Sequence, residues 1–403
     1  MARRLSPLLL CAIALAGCLG RGGSDEDTRV RGNVLTVYSS LPHEGASAPV
    51  ARSVAAGERR ALADAGGRAG GFRVRLVQLD STQGGDRVWE PGIVSANAKR
   101  AADDPKTIAY LGDLDYGASA VSLPITNDAG ILQVSPGDTL TSLTRTTPGR
   151  PRAGPDRYYP TGEHTFLRLV PNDLLQAETI LERARDAGAR RMAIVYDAHI
   201  YGRELAGELA ARGRRDGPEP VGAEEFDGKV ESVPDLVRKL AESSPDTIVY
   251  AGIADRGTGP LLAEIDRRMP AVPAYVTGGL LARDPDLPIP AAPGFTEAFG
   301  PVPPASEMPP KGRRLLRSIA RQDGRDVARP QALYGYEAMR IVLDAVAAGA
   351  PDRHAVVEAA LSARTRDSVI GRYGIRATGD VDTERFATWR LVDGSFRFTG
   401  MTG

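Results

Sequence analysis

Cysteine is nearly absent from this chain of 403 residues: there are two, Cys11 and Cys18, both close to the amino end. No disulfide framework and no cysteine-ligated metal site can be built over the remaining length, so a stable fold must rest on a sizeable core. Histidine is also scarce, at four residues, and no two-histidine metal pattern occurs. Lysine appears five times, and 51 basic residues balance 51 acidic ones. A net charge of zero argues against a nucleic-acid partner, which would need a basic stripe. The scattered pairs Arg59-Arg60, Arg190-Arg191, Arg214-Arg215, Arg267-Arg268 and Arg313-Arg314 suit solvated helix ends better than a binding patch. A glycine-rich phosphate loop is missing. Gly117-Ala118-Ser119 stands at a strand-to-helix turn, but a hydrolase nucleophile elbow needs glycine two residues after the serine, and Val121 is there. No catalytic residue, metal or cofactor is therefore expected, and a secreted serine hydrolase using Ser119 is the weakest of the alternatives.

The amino end is patterned. Arg3 and Arg4 precede an apolar run from Leu8 to Ala16, and Leu15-Ala16-Gly17-Cys18 sets small residues before a cysteine. The run is too short to span a membrane, which takes about 20 apolar residues, and fits a secretory signal. The Leu-Ala-Gly-Cys order resembles the bacterial lipobox, which implies cleavage before Cys18 and lipidation of its thiol. Residues 1–17 are then a signal peptide. Residues 18–32, polar and glycine-rich, form a lipidated tether that anchors the protein to the outer face of the cell membrane.

From Asn33 the chain alternates strand and helix patterns: strands at Val34–Tyr38 and Phe72–Leu79, helices at Pro49–Ala65 and Pro91–Ala102. The segment Thr107–Thr139 repeats that order in compact form. Ile108–Leu111 is an apolar strand ended by Gly112, Ala118–Ala129 is long enough for a helix, and Ile131–Val134 is a second strand stopping at Ser135-Pro136. Two such strands joined by one helix lie parallel, and ligands of open parallel sheets sit beyond the strands' carboxyl ends. Asp113, Asp115, Tyr116, Ser119, Asp138 and Thr139 fall there. The loop Thr146–Thr161 carries four prolines and two glycines. The alternation then restarts from Phe166 and runs through Ala274–Thr277. Its helix Ser232–Ser243 places Val233, Leu236, Val237 and Leu240 on one face, with Ser232 as the expected N-cap. A proline-rich link, Leu280–Pro310, leads to helices at Lys311–Gln322 and Gln331–Ala348. The pattern predicts an α/β fold of two doubly wound parallel-sheet lobes. An internal echo joins them: Asp113 with Tyr116-Gly117 in the first lobe, Asp197 with Tyr201-Gly202 in the second. Each carboxylate ends a strand, and each Tyr-Gly opens a helix toward a shared cleft.

The order Gly112, Ser119, Ala129-Gly130-Ile131-Leu132, Ser135-Pro136 and Thr139 resembles the first lobe of the leucine/isoleucine/valine-binding proteins. These are the type I periplasmic solute-binding proteins of ABC importers, and the resemblance runs from Asn33 to about Arg397. It implies three crossings between lobes, near Leu167, Phe299 and Tyr373, that act as a hinge. Lobe 1 would comprise 33–166 plus 300–372, and lobe 2 167–299 plus 373–403.

The resemblance also implies a site. Thr139 matches the threonine that holds a ligand carboxylate, and Gly137 and Asp138 match the backbone contacts before it. Tyr116 stands where the family has serine, with Ser119 one helical turn later as its substitute. Ile253 replaces a second-lobe aromatic. The acidic residue that holds a ligand ammonium is missing, because Gly278-Gly279-Leu280 follows the strand Ala274–Thr277. Either Asp255, Asp138 or Asp197 supplies that charge, or the ligand has no ammonium; for Asp138 and Asp255 the competing role is turn and N-cap duty. The function implied is capture of a small polar molecule, an amino acid of branched-chain type by default, by a monomer that delivers it to an ABC permease. A sensory receptor of the same fold is the alternative.

Overall fold

The computed structural model of the chain describes residues 28–45, 47–82, 89–146, 154–281, 297–362 and 365–402. The signal peptide, Cys18 and the first part of the tether lie outside them, as do 147–153 of the proline-rich loop and 282–296 of the link.

In lobe 1 the elements are β1 (Val34–Leu41), α1 (Ala48–Asp64), β2 (Arg68–Ala69), β3 (Phe72–Asp80), α2 (Pro91–Asp103), β4 (Thr107–Leu111), α3 (Ser119–Asp128), β5 (Leu132–Ser135) and β6 (Phe166–Arg168). They make a six-stranded sheet in the order β2-β3-β1-β4-β5-β6, parallel except for β2. Ala109 of β4 stands opposite both Val37 and Leu132. Every residue of β4 is buried, which is why its sequence is an unbroken apolar run bounded by Thr107.

Lobe 2 holds α4 (Asp173–Asp186), β7 (Arg191–Asp197), α5 (Ile200–Asp216), β8 (Glu219–Phe226), α6 (Val233–Glu242), β9 (Thr247–Ala251), α7 (Thr258–Arg268), β10 (Ala274–Thr277) and β11 (Glu297–Gly300). The chain then returns to lobe 1 for α8 (Pro310–Gln322), α9 (Gln331–Gly349) and α10 (Arg353–Leu361), makes a small hairpin of β12 (Arg366–Ser368) and β13 (Gly371–Tyr373), and ends in lobe 2 with β14 (Ala387–Val392) and β15 (Ser395–Met401). The second sheet runs β15-β14-β11-β10-β9-β7-β8, with five parallel strands and an antiparallel pair at one edge. The chain thus crosses between sheets after β6, after β11 and before β14.

Helix α9 is buried around most of its circumference, from Ala332 to Val346, because α1 crosses it with backbones almost touching. A Cβ at Gly57 would overlap the Ala332 carbonyl, and one at Gly335 the Val54 carbonyl. Two glycines therefore set how closely the late helices seat on lobe 1.

Strand β8 had no apolar run to predict it, since it is an edge strand with only Phe226 buried. Two local expectations needed correction. Ser232 does not cap α6; its hydroxyl turns back to Asp227 and to the Lys229 carbonyl. The end of the tether is seated on lobe 1: the backbones of Arg29 and Asp352 form an isolated antiparallel β-bridge, the Val30 N–H donates to the Pro351 carbonyl at 2.9 Å, and Val30 enters the lobe 1 core.

Candidate functional site

Both sheets reverse their winding direction at one point, between β1 and β4 in lobe 1 and between β7 and β9 in lobe 2. Crevices form at such points, outside the carboxyl ends of the strands. The loops after β4 and β5 face the loops after β7, β9 and β10. Tyr116 and Tyr201, the two tyrosines of the internal echo, meet across the lobes with ring centroids 4.7 Å apart and tilted by 32°. Around them Trp89, Val94 and Ala118 of lobe 1 pack with Ile253, Tyr275 and Phe299 of lobe 2 in one apolar cluster.

A cavity of about 530 Å³ opens on the hinge side of this contact. Lobe 1 contributes Ser47, Val50, Leu114, Asp115, Tyr116, Pro136 and Gly137. Lobe 2 contributes Gly278, Leu281, Trp389 and Phe396, the crossing Pro301–Pro304 forms a further wall, and Arg329 stands at the edge of α9. A second cavity, of about 420 Å³, is lined by Asp197, His199, Phe226, Ile253 and Asp255 of lobe 2, with Trp89 and Pro91 from lobe 1.

Three of the sequence candidates, Tyr116, Gly137 and Gly278, thus share the first cavity, while Asp197, Ile253 and Asp255 share the second. Ser119, Asp138, Thr139 and Tyr201 line neither. The Asp138 carboxylate accepts from the N–H groups of Gly117 and Ser119, both at 2.9 Å, and of Leu140 at 3.1 Å, so it caps α3 and fastens the β5 loop to it. Burial raises its pKa above the ordinary carboxylate value despite those three donors. Ser119 is fully buried, and its hydroxyl accepts from the Asp113 N–H at 3.0 Å. Thr139 is buried beside Asp173, and its carbonyl accepts the Asp173 N–H at 2.9 Å. Asp197 accepts from the N–H of Ile253 at 2.7 Å and of His199 at 3.0 Å. Asp255 caps α7 through Gly257 and Thr258. Tyr201 Oη accepts from Gln176 Nε2 at 3.2 Å.

Sequence reasoning missed Trp389, Phe396, Arg329 and the Pro301–Pro304 wall, which come from distant parts of the chain and carry no shared pattern. Asp115 was marked by its place at a strand end, yet not as a site residue. Among the described residues no group of three His, Cys, Asp or Glu is placed to hold a metal.

The family model described as "Periplasmic binding protein" matches residues 39–393. The chain belongs to that family. Among solved structures, the leucine-binding protein LivK of Thermotoga maritima is similar with a TM-score of 0.73 at 20% identity, covering 91% of this chain and 98% of that one. A solute-binding protein of Rhodopseudomonas palustris HaA2, solved with p-hydroxybenzoic acid, gives 0.73 at 17% identity over 92% and 97%. LivJ of Streptococcus pneumoniae, solved with isoleucine, gives 0.70 at 16% over 90% and 97%. At these identities the likeness is one of fold. A Pseudomonas aeruginosa protein named "Amino acid binding protein" is 24% identical over 226 residues, which are 56% of this chain and 55% of that relative, so the match spans about half of its length.

Proposed function

We propose that this periplasmic binding protein is an extracytoplasmic solute-binding lipoprotein. It takes a small molecule with an apolar body, an amino acid or a related compound, between its lobes and hands it to the membrane permease of an ABC importer. The observation that carries this reading is the cavity walled by both lobes, Tyr116 and Gly137 on one side and Gly278 and Trp389 on the other. Its volume of about 530 Å³ suits a small ligand. Contacts made to both lobes favour the closed arrangement over an open one, so binding works by shifting a hinge equilibrium, with no covalent step. The name of the Pseudomonas relative and the leucine, isoleucine and p-hydroxybenzoic acid of the structural relatives support the ligand class. The leader supports residues 1–17 as a signal peptide, Cys18 as the lipidated residue and the next residues as a tether. No helix among the described residues is long and apolar enough to cross a membrane.

The test is a thermal-shift screen of the purified chain against amino acids, amines, carboxylic acids and sugars. A ligand at 100 times its dissociation constant should add about 2.7 kcal/mol of stability. No shift with any class would sink the binding reading. Delivery is tested separately, by uptake of the labelled ligand in cells with and without this protein.

A further inference from the structure

The acid that the family resemblance places after β10 is replaced by Gly278-Gly279. The three acids that sequence offers in its stead already hold backbone N–H groups: Asp138 caps α3, Asp255 caps α7 through Oδ1, and Asp197 accepts from the N–H groups of His199 and Ile253. Asp115 differs from them. It is 5% exposed, it lines the interlobe cavity, and its Oδ2 is buried with no hydrogen-bond partner. Tyr116, Leu281, Trp389 and Phe396 give that wall an apolar and aromatic part, and Ser47, Gln331 and Ser395 add polar groups. Arg329 faces the same cavity. Its Nε donates to the Asp326 carbonyl at 3.2 Å, and no carboxylate pairs with it among the described residues.

We propose that Asp115 is the partner of a ligand cation, so that the cavity selects an apolar molecule bearing a protonated amine, whose carboxylate, if it has one, turns to Arg329. This rests on the solute-binding reading above and relocates the ammonium contact from lobe 2 to lobe 1. An uncompensated buried charge is expensive, whereas an opposite charge within hydrogen-bond reach, among aromatic rings, restores the ionised form.

The groups around Asp115 set its state in the empty cleft. Burial, then the charges of Asp113 and Asp138, push it up to about 8 against the Ser47 hydroxyl, which favours the carboxylate. Tyr116 beside it is held neutral, its pKa raised by burial and by the nearby carboxyls, and Arg329 stands at the same cavity. At pH 7 the empty protein therefore carries the neutral acid. Arrival of an ammonium drives the proton from Asp115 to solvent, while the ligand keeps its own.

Calorimetric titration of the full chain at pH 7, in phosphate and in Tris, counts that proton. The probes are L-leucine, 3-methylbutylamine and 4-methylpentanoate. Leucine and the amine should bind with release of about one proton, and Asp115→Asn should weaken both by about tenfold or more. Arg329→Gln should weaken leucine and spare the amine. Tight binding of 4-methylpentanoate without proton release, or amine binding unchanged in Asp115→Asn, would overturn the role of Asp115 and leave the solute-binding reading standing. Binding of none of the three overturns it too, and failure across the wider screen removes the solute-binding reading as well. Should Asp115→Asn not fold, Asp115→Ser takes its place with the same two outcomes, because released protons alone do not separate Asp115 from Asp113, whose carboxyl burial also raises to about 7.

Discussion

Arg168, fully buried at the end of β6, donates from Nε to Asp380 Oδ1 at 2.9 Å and so ties the first crossing between the lobes to the third. The same guanidinium donates to the carbonyls of Asp138 at 3.1 Å and Leu140 at 2.8 Å and to the Thr144 hydroxyl at 2.6 Å, so the hinge and the β5 loop are held by one side chain. Asp380 accepts in turn from Thr144 and Arg145.

Breaking this pair should be costly. Burial alone would raise the Asp380 carboxyl, but the Arg168 charge and the bonds from Thr144 and Arg145 outweigh it and hold the pKa below the usual range. Its contribution to stability is complete above the unfolded value of about 4 and fades as pH falls through the lower folded value. Asp380→Asn leaves Arg168 buried and unpaired, so urea unfolding at pH 7 should show a loss of about 3–5 kcal/mol, shrinking toward pH 2. A loss under about 1 kcal/mol at pH 7 would mean that the pair does not clamp the hinge.

Glu58 has the opposite sign. It is fully buried on α1, accepting from the Ser39 hydroxyl and from Gln78 Nε2, both at 3.0 Å, and burial pushes its pKa up to about 7. The folded protein keeps a proton there that the unfolded chain releases near 4.5. Stability from this group is therefore full below about 4.5 and is lost as pH rises to about 7. Glu58→Gln should stabilise the protein by up to about 3 kcal/mol at pH 8 and make little difference at pH 4. Equal melting temperatures of the two proteins at pH 8 would contradict the shift.

The lobes themselves were legible because parallel strands buried on both faces, such as β4 and β9, must be written as apolar runs, and their helices as one-sided patterns. Edge strand β8 and the short β11 were not, since an edge strand packs little and β11 lies within a proline-rich stretch. At the site, the Tyr-Gly echo was readable and its two rings do meet. Whether Asp138 or Asp115 faces the cavity was not readable, because both are aspartates at strand ends; only which of them finds backbone N–H donors separates them.

Cys18 is open to a direct check. Stable anchoring takes more than one acyl chain, which a lipidated amino-terminal cysteine would supply. Cys18→Ser should move the protein from the membrane fraction to the soluble one. Ligand-induced stabilisation should be unaffected, because the chain docks onto lobe 1 at Val30, well after Cys18. Retention in the membrane fraction would mean that the leader is not a lipobox.

Gly117 tests closure itself. It sits at φ +86°, where side chains are disfavoured, and a Cβ there would press into Ile200 Cγ2 at the start of α5, across the lobe boundary. Gly117→Ala therefore carries two penalties that can be separated. The backbone one, about 1 kcal/mol, applies whether the lobes are open or closed and lowers stability only. The overlap with Ile200 exists only when the lobes meet, and overpacking of about 1–3 kcal/mol against the closed state weakens ligand binding by about 5- to 150-fold. Adding Ile200→Ala removes the overlap and leaves the backbone strain. The double variant should regain most of the ligand affinity while its melting temperature stays below that of the parent. If affinity remains low in the double variant, strain at the α3 turn and not contact with lobe 2 governs binding, and closure at this point is not part of the mechanism.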